Sequence, residues 1–231
     1  MTKERIVFVH GSGSFGAAAW PKQHRLAGRY DCLFVKRHGF DATADPEPTD
    51  FDADMRIVLD NLDGRPGHLA AASQGAIAAM MAAVERPDLV KSLTLFEPAC
   101  LSLTADLPAT MQHREVVGQL FERRAGMSDE EFLREFVRLV YSADAQMPTT
   151  EDAKRSASRL RMQRPPWEAP LHIVPGVPTL VVTGAWEPLY EEVAHYLEST
   201  GATHIHTGGH HRPHDTDEGH QALVDFVSGH V

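Results

Sequence analysis

Ser73 is the first residue of the chain with the setting for nucleophilic chemistry. It stands in Leu69-Ala70-Ala71-Ala72-Ser73-Gln74-Gly75-Ala76-Ile77. A short apolar run leads into one serine, a glycine follows two residues later, and helix-forming sequence comes next. This is the pattern of a strand, a very tight turn and a helix, the x-x-Ser-x-Gly half of a nucleophile elbow with Ala71 where the first glycine usually stands. Such a turn strains the backbone of its central residue and demands small neighbours, a demand met by Ala71, Ala72, Gly75 and Ala76. Ser73 would then project above the sheet edge, and Gln74 would open the helix with its N–H free. Ala-rich strand–helix junctions with an idle serine are also common in Rossmann-like folds, so the remaining residues decide.

Three further features join Ser73. His10-Gly11-Ser12-Gly13 follows an apolar run, and its glycines let the backbone approach a ligand. The N–H groups of Gly11 or Ser12, with that of Gln74, would supply two donors for a developing oxyanion. The spacing matches neither the Walker phosphate loop nor Gly-x-Gly-x-x-Gly. Gly208-Gly209-His210-His211-Arg212-Pro213-His214 follows the last strand-like run, and His211, two residues before a proline, is the candidate base rather than His210 or His214. Two acids compete, Glu97 in Leu95-Phe96-Glu97-Pro98 and Glu187 in Trp186-Glu187-Pro188. Either preserves the chain order Ser, acid, His.

Those residues need strand ends to hold them. Arg5 to Val9, Asp31 to Val35, His68 to Ala72, Val90 to Phe96, Val177 to Thr183 and Ala202 to His206 read as buried strands. Helical patterns cover Ala17 to Arg29, Phe51 to Leu62, the stretch from Gln74 to Glu85-Arg86, Pro188 to Thr200 and Asp217 to Val231. Alternation of this kind implies βαβ units and a parallel sheet of about six strands. From about Ala99 to Pro170 the strand rhythm stops, and Leu107 to Arg124, Ser128 to Tyr141 and Thr149 to Met162 look helical. Ser128-Asp129-Glu130-Glu131 has the form of a capping box. The expected organisation is therefore a core of residues 1–98 and 171–231 with a helical cap of residues 99–170, placed over the carboxyl ends of the strands.

The joint pattern of His-Gly loop, elbow, cap, acid positions and histidine loop resembles the α/β-hydrolase superfamily over nearly the whole chain. The resemblance implies that fold, here with the family's first two strands missing, and a Ser73–acid–His211 triad. Most members carry Asp where Glu187 stands. Zearalenone-lactonase-like members carry a Glu just after the strand that follows the elbow helix. Glu97 occupies that place, 24 residues after Ser73, so it is favoured over Glu187. The implied activity is hydrolysis of a carboxylic ester or lactone through an acyl-enzyme, without a cofactor. Carbon–carbon bond hydrolysis, thioester hydrolysis and a non-hydrolytic lyase, cyclase or binding role use the same scaffold. Phe15, Trp20, Trp186, Tyr190, Met111, Phe121 and Trp167 are candidates to line an apolar pocket for a small to medium substrate.

Composition bounds the partners. The 231-residue chain carries 32 acidic and 22 basic residues, a formal net charge of −10. That balance disfavours nucleic acid and anionic membranes. Cys32 and Cys100 sit in or beside apolar runs, as reduced thiols of a cytoplasmic protein would. From Met1 to Ile6 the chain goes directly into a strand pattern, whose apolar run is too short for a signal peptide. A monomer and a homodimer both fit this composition. A metal protein is the rival from another class: six of the 14 histidines fall between His204 and His220, and His204-x-His206 would share a strand face. The straddled turn and the lack of an acidic ligand pattern weigh against metal as the basis of the activity.

Overall fold

Continuously apolar strands must be covered on both faces, and the four central strands of this sheet are. The structure, a computed structural model, describes residues 3–230. Six strands, β1 (Arg5–Val9), β2 (Asp31–Val35), β3 (Gly67–Ala72), β4 (Val90–Phe96), β5 (Thr179–Thr183) and β6 (Thr203–His206), form one sheet in the order β2-β1-β3-β4-β5-β6. Every pairing is parallel. Alternate residues feed two cores. Val7, Val9, Leu69, Ala71, Leu93, Leu95 and Val181 pack with α1 (Phe51–Leu62), α2 (Gly75–Glu85) and α6 (Pro188–Ser199). Ile6, Phe8, Ala70, Ala72, Phe96, Leu180 and Val182 pack with Trp20, Leu26, Tyr30 and the Leu223 and Val227 side chains of α7 (Asp217–Ser228). This is the α/β-hydrolase architecture.

The helix that follows the elbow sits unusually close to the neighbouring strand. A Cβ on Gly75 would lie 2.3 Å from the His10 carbonyl oxygen and 2.6 Å from that of Val9. Only glycine lets α2 cross β1 at that distance. Gly75, Ala76, Ala78 and Ala79 are small residues in the opening turns of α2, and Gly75 to Ala83 are all buried.

Between β4 and β5 the chain forms α3 (Pro108–Arg123), α4 (Asp129–Tyr141) and α5 (Glu151–Met162). The Ser128–Glu131 capping box is present. The N-terminus of α3 has no cap of its own; Glu192 of α6 accepts from the backbone N–H of Ala109 (2.9 Å) and Thr110 (2.8 Å) instead. At the other end of the helical block, Arg159 donates to the carbonyls of Gly39 and Asp41 and lies over the rings of Phe15 and Phe40. The block is thus tied to the core through both α6 and the loop after β2.

The expected helix over Ala17 to Arg29 is replaced by two 3-10 turns, Gly16–Ala19 and Gln23–Gly28. Pro21 has no N–H to donate and pushes Trp20 out of the helical region, where it sits at φ −129° and ψ 57°. The last helix ends at Ser228, not Val231. Met1, Thr2 and Val231, which the expected core and last helix included, lie outside the described residues.

Candidate active site

Four consecutive strands deliver one residue each in the left-handed backbone region. Ser73 follows β3 at φ 51°, Glu97 follows β4 at 47°, Ala185 lies beyond β5 at 53° and His210 beyond β6 at 50°. Each such residue costs about 1–3 kcal/mol and persists only where its surroundings enforce it. Ser73 is enforced by a hydrogen bond from its N–H to Phe96 O (2.9 Å), by Ala76 and Ala99 N–H groups on its carbonyl, and by Gly11, whose missing Cβ would lie 2.9 Å from Ser73 Cβ. Gly184 permits the next turn, since a Cβ there would stand 2.2 Å from His210 O.

These turns converge on one line of polar atoms. His211 Nε2 is 3.1 Å from Ser73 Oγ, and His211 Nδ1 is 3.5 Å from Glu97 Oε2. Hydroxyl on one side and carboxylate on the other select the tautomer with hydrogen on Nδ1, leaving Nε2 to accept from the serine. Glu97 is fully buried. Its Oε1 accepts from Gly184 N–H (2.6 Å) and its Oε2 from Trp186 Nε1–H (3.0 Å). Two neutral donors satisfy the carboxylate without a cation, so its charge stays directed at the imidazole. Aromatic rings enclose His211: Tyr190 at 4.8 Å, Tyr141 at 5.6 Å and Trp186 at 6.2 Å between centroids. Burial, followed by the Glu97 charge, pushes the Tyr141 phenol up to about 12.

Glu187 has another task. It is the N-cap of α6, and its Oε1 accepts from Leu189 N–H at 3.4 Å. The structure brings Glu97, not Glu187, to His211.

On the opposite side of Ser73, the N–H groups of Ser12 and Gln74 donate to no protein acceptor among the described residues. Gln74 starts α2, where the helix dipole favours negative charge. The loop carrying Gly11 and Ser12 is fixed by His10, fully buried, whose Nε2 accepts from Arg37 N–H (3.0 Å) while Nδ1 donates to Gly11 O (2.8 Å). Burial, with Arg37 nearby, pushes the His10 imidazole down to about 3, so it stays neutral. The Arg37 guanidinium is itself neutralised by buried Asp54 at 2.9 Å. Ser12 Oγ lies 2.9 Å from Gln74 Oε1 and 2.8 Å from Gln163 Oε1, and Gln74 Nε2 donates to Arg164 O. Core and helical block therefore share a polar clasp beside the serine.

A cavity of about 270 Å³ opens on Ser73 and His211. Of the aromatic residues picked out in the sequence, Phe121, Trp167 and Tyr190 line it. Trp20 does not: it is fully buried against Phe8, Phe96 and His214. Phe15 packs on His10, Phe40 and Arg159. Met111 is exposed on α3, and Trp186 stands behind His211 as the donor to Glu97. The cavity wall also uses Leu101, Val117, Phe136, Val140, Tyr141 and Leu160, none of them singled out in the sequence. Apolar positions every three or four residues on α3 to α5 were the available signal. His113 lines the same wall, and burial pushes it down to about 4.

A sheet of this order, an elbow serine after β3, a histidine after the last strand and a helical block over the strand ends define an α/β-hydrolase-type site. The chain belongs to the alpha/beta hydrolase family, whose sequence model matches residues 6–226. No curated protein matches the sequence. Among solved structures, the type II thioesterase BorB from the borrelidin biosynthetic cluster is similar, with a TM-score of 0.68, 21% identity, and coverage of 99% of this chain and 93% of that one. Carboxylesterase CesB from Bacillus subtilis has a TM-score of 0.66 and 14% identity over 99% of this chain and 85% of its own. Naproxen esterase from Bacillus subtilis has 0.62 and 19%, over 97% and 83%. Identities this low carry the fold. No helix among the described residues is long and apolar enough to cross a membrane.

Proposed function

We propose that the protein is a serine hydrolase of a carboxylic ester or lactone with a small to medium apolar acyl or ring portion. The observation that carries this reading is the Ser73–His211–Glu97 line beneath an apolar cavity, at 3.1 and 3.5 Å. Family membership and esterase neighbours support hydrolysis; the lactonase-like position of the acid rests on Glu97 alone. In this reading His211 Nε2 takes the Ser73 proton as Oγ attacks the acyl carbon. Gln74 N–H and Ser12 or Gly11 N–H hold the oxyanion, and the imidazolium forms opposite Glu97. The Nδ1 to Oε2 separation shortens as positive charge develops on the ring. His211 then passes the proton to the leaving oxygen. Water, deprotonated by the same nitrogen, releases the acid and restores Ser73. The chain's own groups supply every step. The free thiols Cys32 and Cys100 fit a cytoplasmic setting.

The test is a panel of p-nitrophenyl esters, lactones and acyl thioesters, with wild type and Ser73→Ala, alongside labelling by a fluorophosphonate. The expected result is turnover of esters or lactones, one label per chain at Ser73, and a loss of about 10³-fold or more in kcat/KM on substitution. An active, labelled Ser73→Ala protein refutes the nucleophile. Selective turnover of thioesters would move the substrate class and leave the machinery standing.

A further inference from the structure

Outside the Ser73 cavity, the histidines of β6 meet α6. β6 is the edge strand, and His204 and His206 pair with Val181 and Thr183 of β5, so both project to the same face. That face is covered by α6, where Glu191 and His195 lie one turn apart. Strand period two and helix period four thus converge. One ligand atom from each of Glu191, His204 and His206 lies within 4.8 Å of the others, and a second such group combines His204 with His195 and Glu198. His206 Nε2 is 2.7 Å and His204 Nε2 3.7 Å from Glu191 Oε2. The His204–His206 ring centroids are 4.5 Å apart, and those of His195–His204 are 5.5 Å apart.

We infer that Glu191, His204 and His206, with His195 at the rim, form a binding site for a divalent transition-metal ion of the zinc, nickel or cobalt type. Glu191 Oε1 is buried and accepts no hydrogen bond. An orphaned carboxylate oxygen beside imidazole nitrogens is a donor set short of a cation. His204 Nε2 also lies 2.9 Å from Thr183 Oγ1, a hydrogen bond that an ion bound at this nitrogen would replace. Imidazole with a carboxylate suits zinc and its neighbours and not magnesium or calcium, which take oxygen ligands. None of the four residues lines the Ser73 cavity, so the site is separate from the hydrolytic centre. Its effect would be structural. The ion would pin an unprotected sheet edge to α6, whose first turn supplies Leu189 and Tyr190 to the cavity.

Untagged full-length protein, stripped with a chelator, is titrated with zinc chloride by calorimetry and with cobalt(II) by visible absorption. One ion per chain, a rise in Tm with zinc, and d–d bands of a low-coordinate nitrogen–oxygen site are expected. Each of His206→Gln and Glu191→Gln should weaken binding about tenfold or more, with far-UV circular dichroism unchanged. His206 is exposed, so its substitution leaves the fold intact. His210→Gln, on the neighbouring loop, should leave binding alone. Absence of binding at stoichiometric zinc, or binding that survives His206→Gln and fails with His210→Gln, overturns the site. Neither outcome touches the hydrolytic reading, which is tested at Ser73.

Discussion

Glu97 and Glu187 both follow a strand and precede a proline, and the local sequence gives each the same claim on His211. What separates them is a pair of donors that only the fold assembles. Gly184 N–H and Trp186 Nε1–H draw the Glu97 carboxylate inward, whereas Glu187 turns to its own helix. If Glu97 is the triad acid, Glu97→Gln removes the charge opposite the imidazolium and offers an amide that can fix the wrong tautomer. kcat should then fall by about 10³–10⁴-fold, measured on whichever ester or lactone the panel selects. Glu187→Gln keeps a capping oxygen and should change kcat by less than about tenfold, with a small loss of stability. A large effect at Glu187 and a small one at Glu97 would reverse the assignment. Ser73, His211, Gly11, Ser12 and Gln74 were legible in the sequence because tight turns restrict residue type. The acid was not legible in its local residues, and only the family resemblance favoured Glu97, because a carboxylate's orientation depends on partners about 90 positions away. Trp20 shows the same limit in another form: an aromatic side chain reads alike whether it faces a cavity or fills the core.

At the scale of elements, the close crossing of α2 over β1 is the arrangement on which the elbow depends. The small residues of the Ala71–Ala76 stretch announced it, and the structure puts it at backbone contact. Gly75→Ala places a methyl group 2.3 Å from His10 O, an atom that cannot swing aside as a side-chain tip can. The helix or the His10–Ser12 loop must shift. The expected cost is about 3 kcal/mol, the upper end for overpacking, read as a lower urea midpoint with an unchanged m-value. The catalytic loss should exceed what the lost stability explains, because the same shift separates the Ser12 and Gln74 N–H groups. Gly64, where an added Cβ would meet no atom within 4 Å but φ is +66°, makes a useful contrast: Gly64→Ala strains one turn far from the site and should leave turnover intact. The 3-10 turns over 16–28 were illegible for the opposite reason. Composition there favours a helix, and a single Pro21 overrides it.

Over the whole molecule, three histidines, the buried His10 and His214 and the half-buried His113, make stability depend on pH. Burial pushes His10 down to about 3 and His113 and His214 down to about 4 in the folded protein, while the unfolded chain holds them near the ordinary value of about 6.5. Above about pH 6.5 both states carry them neutral, and their contribution to stability is intact. As pH falls below that, the unfolded state gains protons that the folded state refuses. Each histidine then removes about 1.4 kcal/mol per pH unit until the folded value is reached. Net stability of about 5–15 kcal/mol is not large beside three such slopes, so the protein should lose its fold at mildly acidic pH. His113→Phe tests this. It deletes one titrating group that makes no hydrogen bond among the described residues and keeps a ring against Trp167. The difference in unfolding free energy between His113→Phe and wild type, from urea titrations at pH 7, 6 and 5, should shift toward the variant by about 1.4 kcal/mol for each unit below 6. A pH-independent difference would mean that His113 takes up its proton at the same pH in the folded and unfolded chain, and below about pH 6.5 the wall of the cavity would then carry a positive charge that an apolar acyl group has no reason to meet.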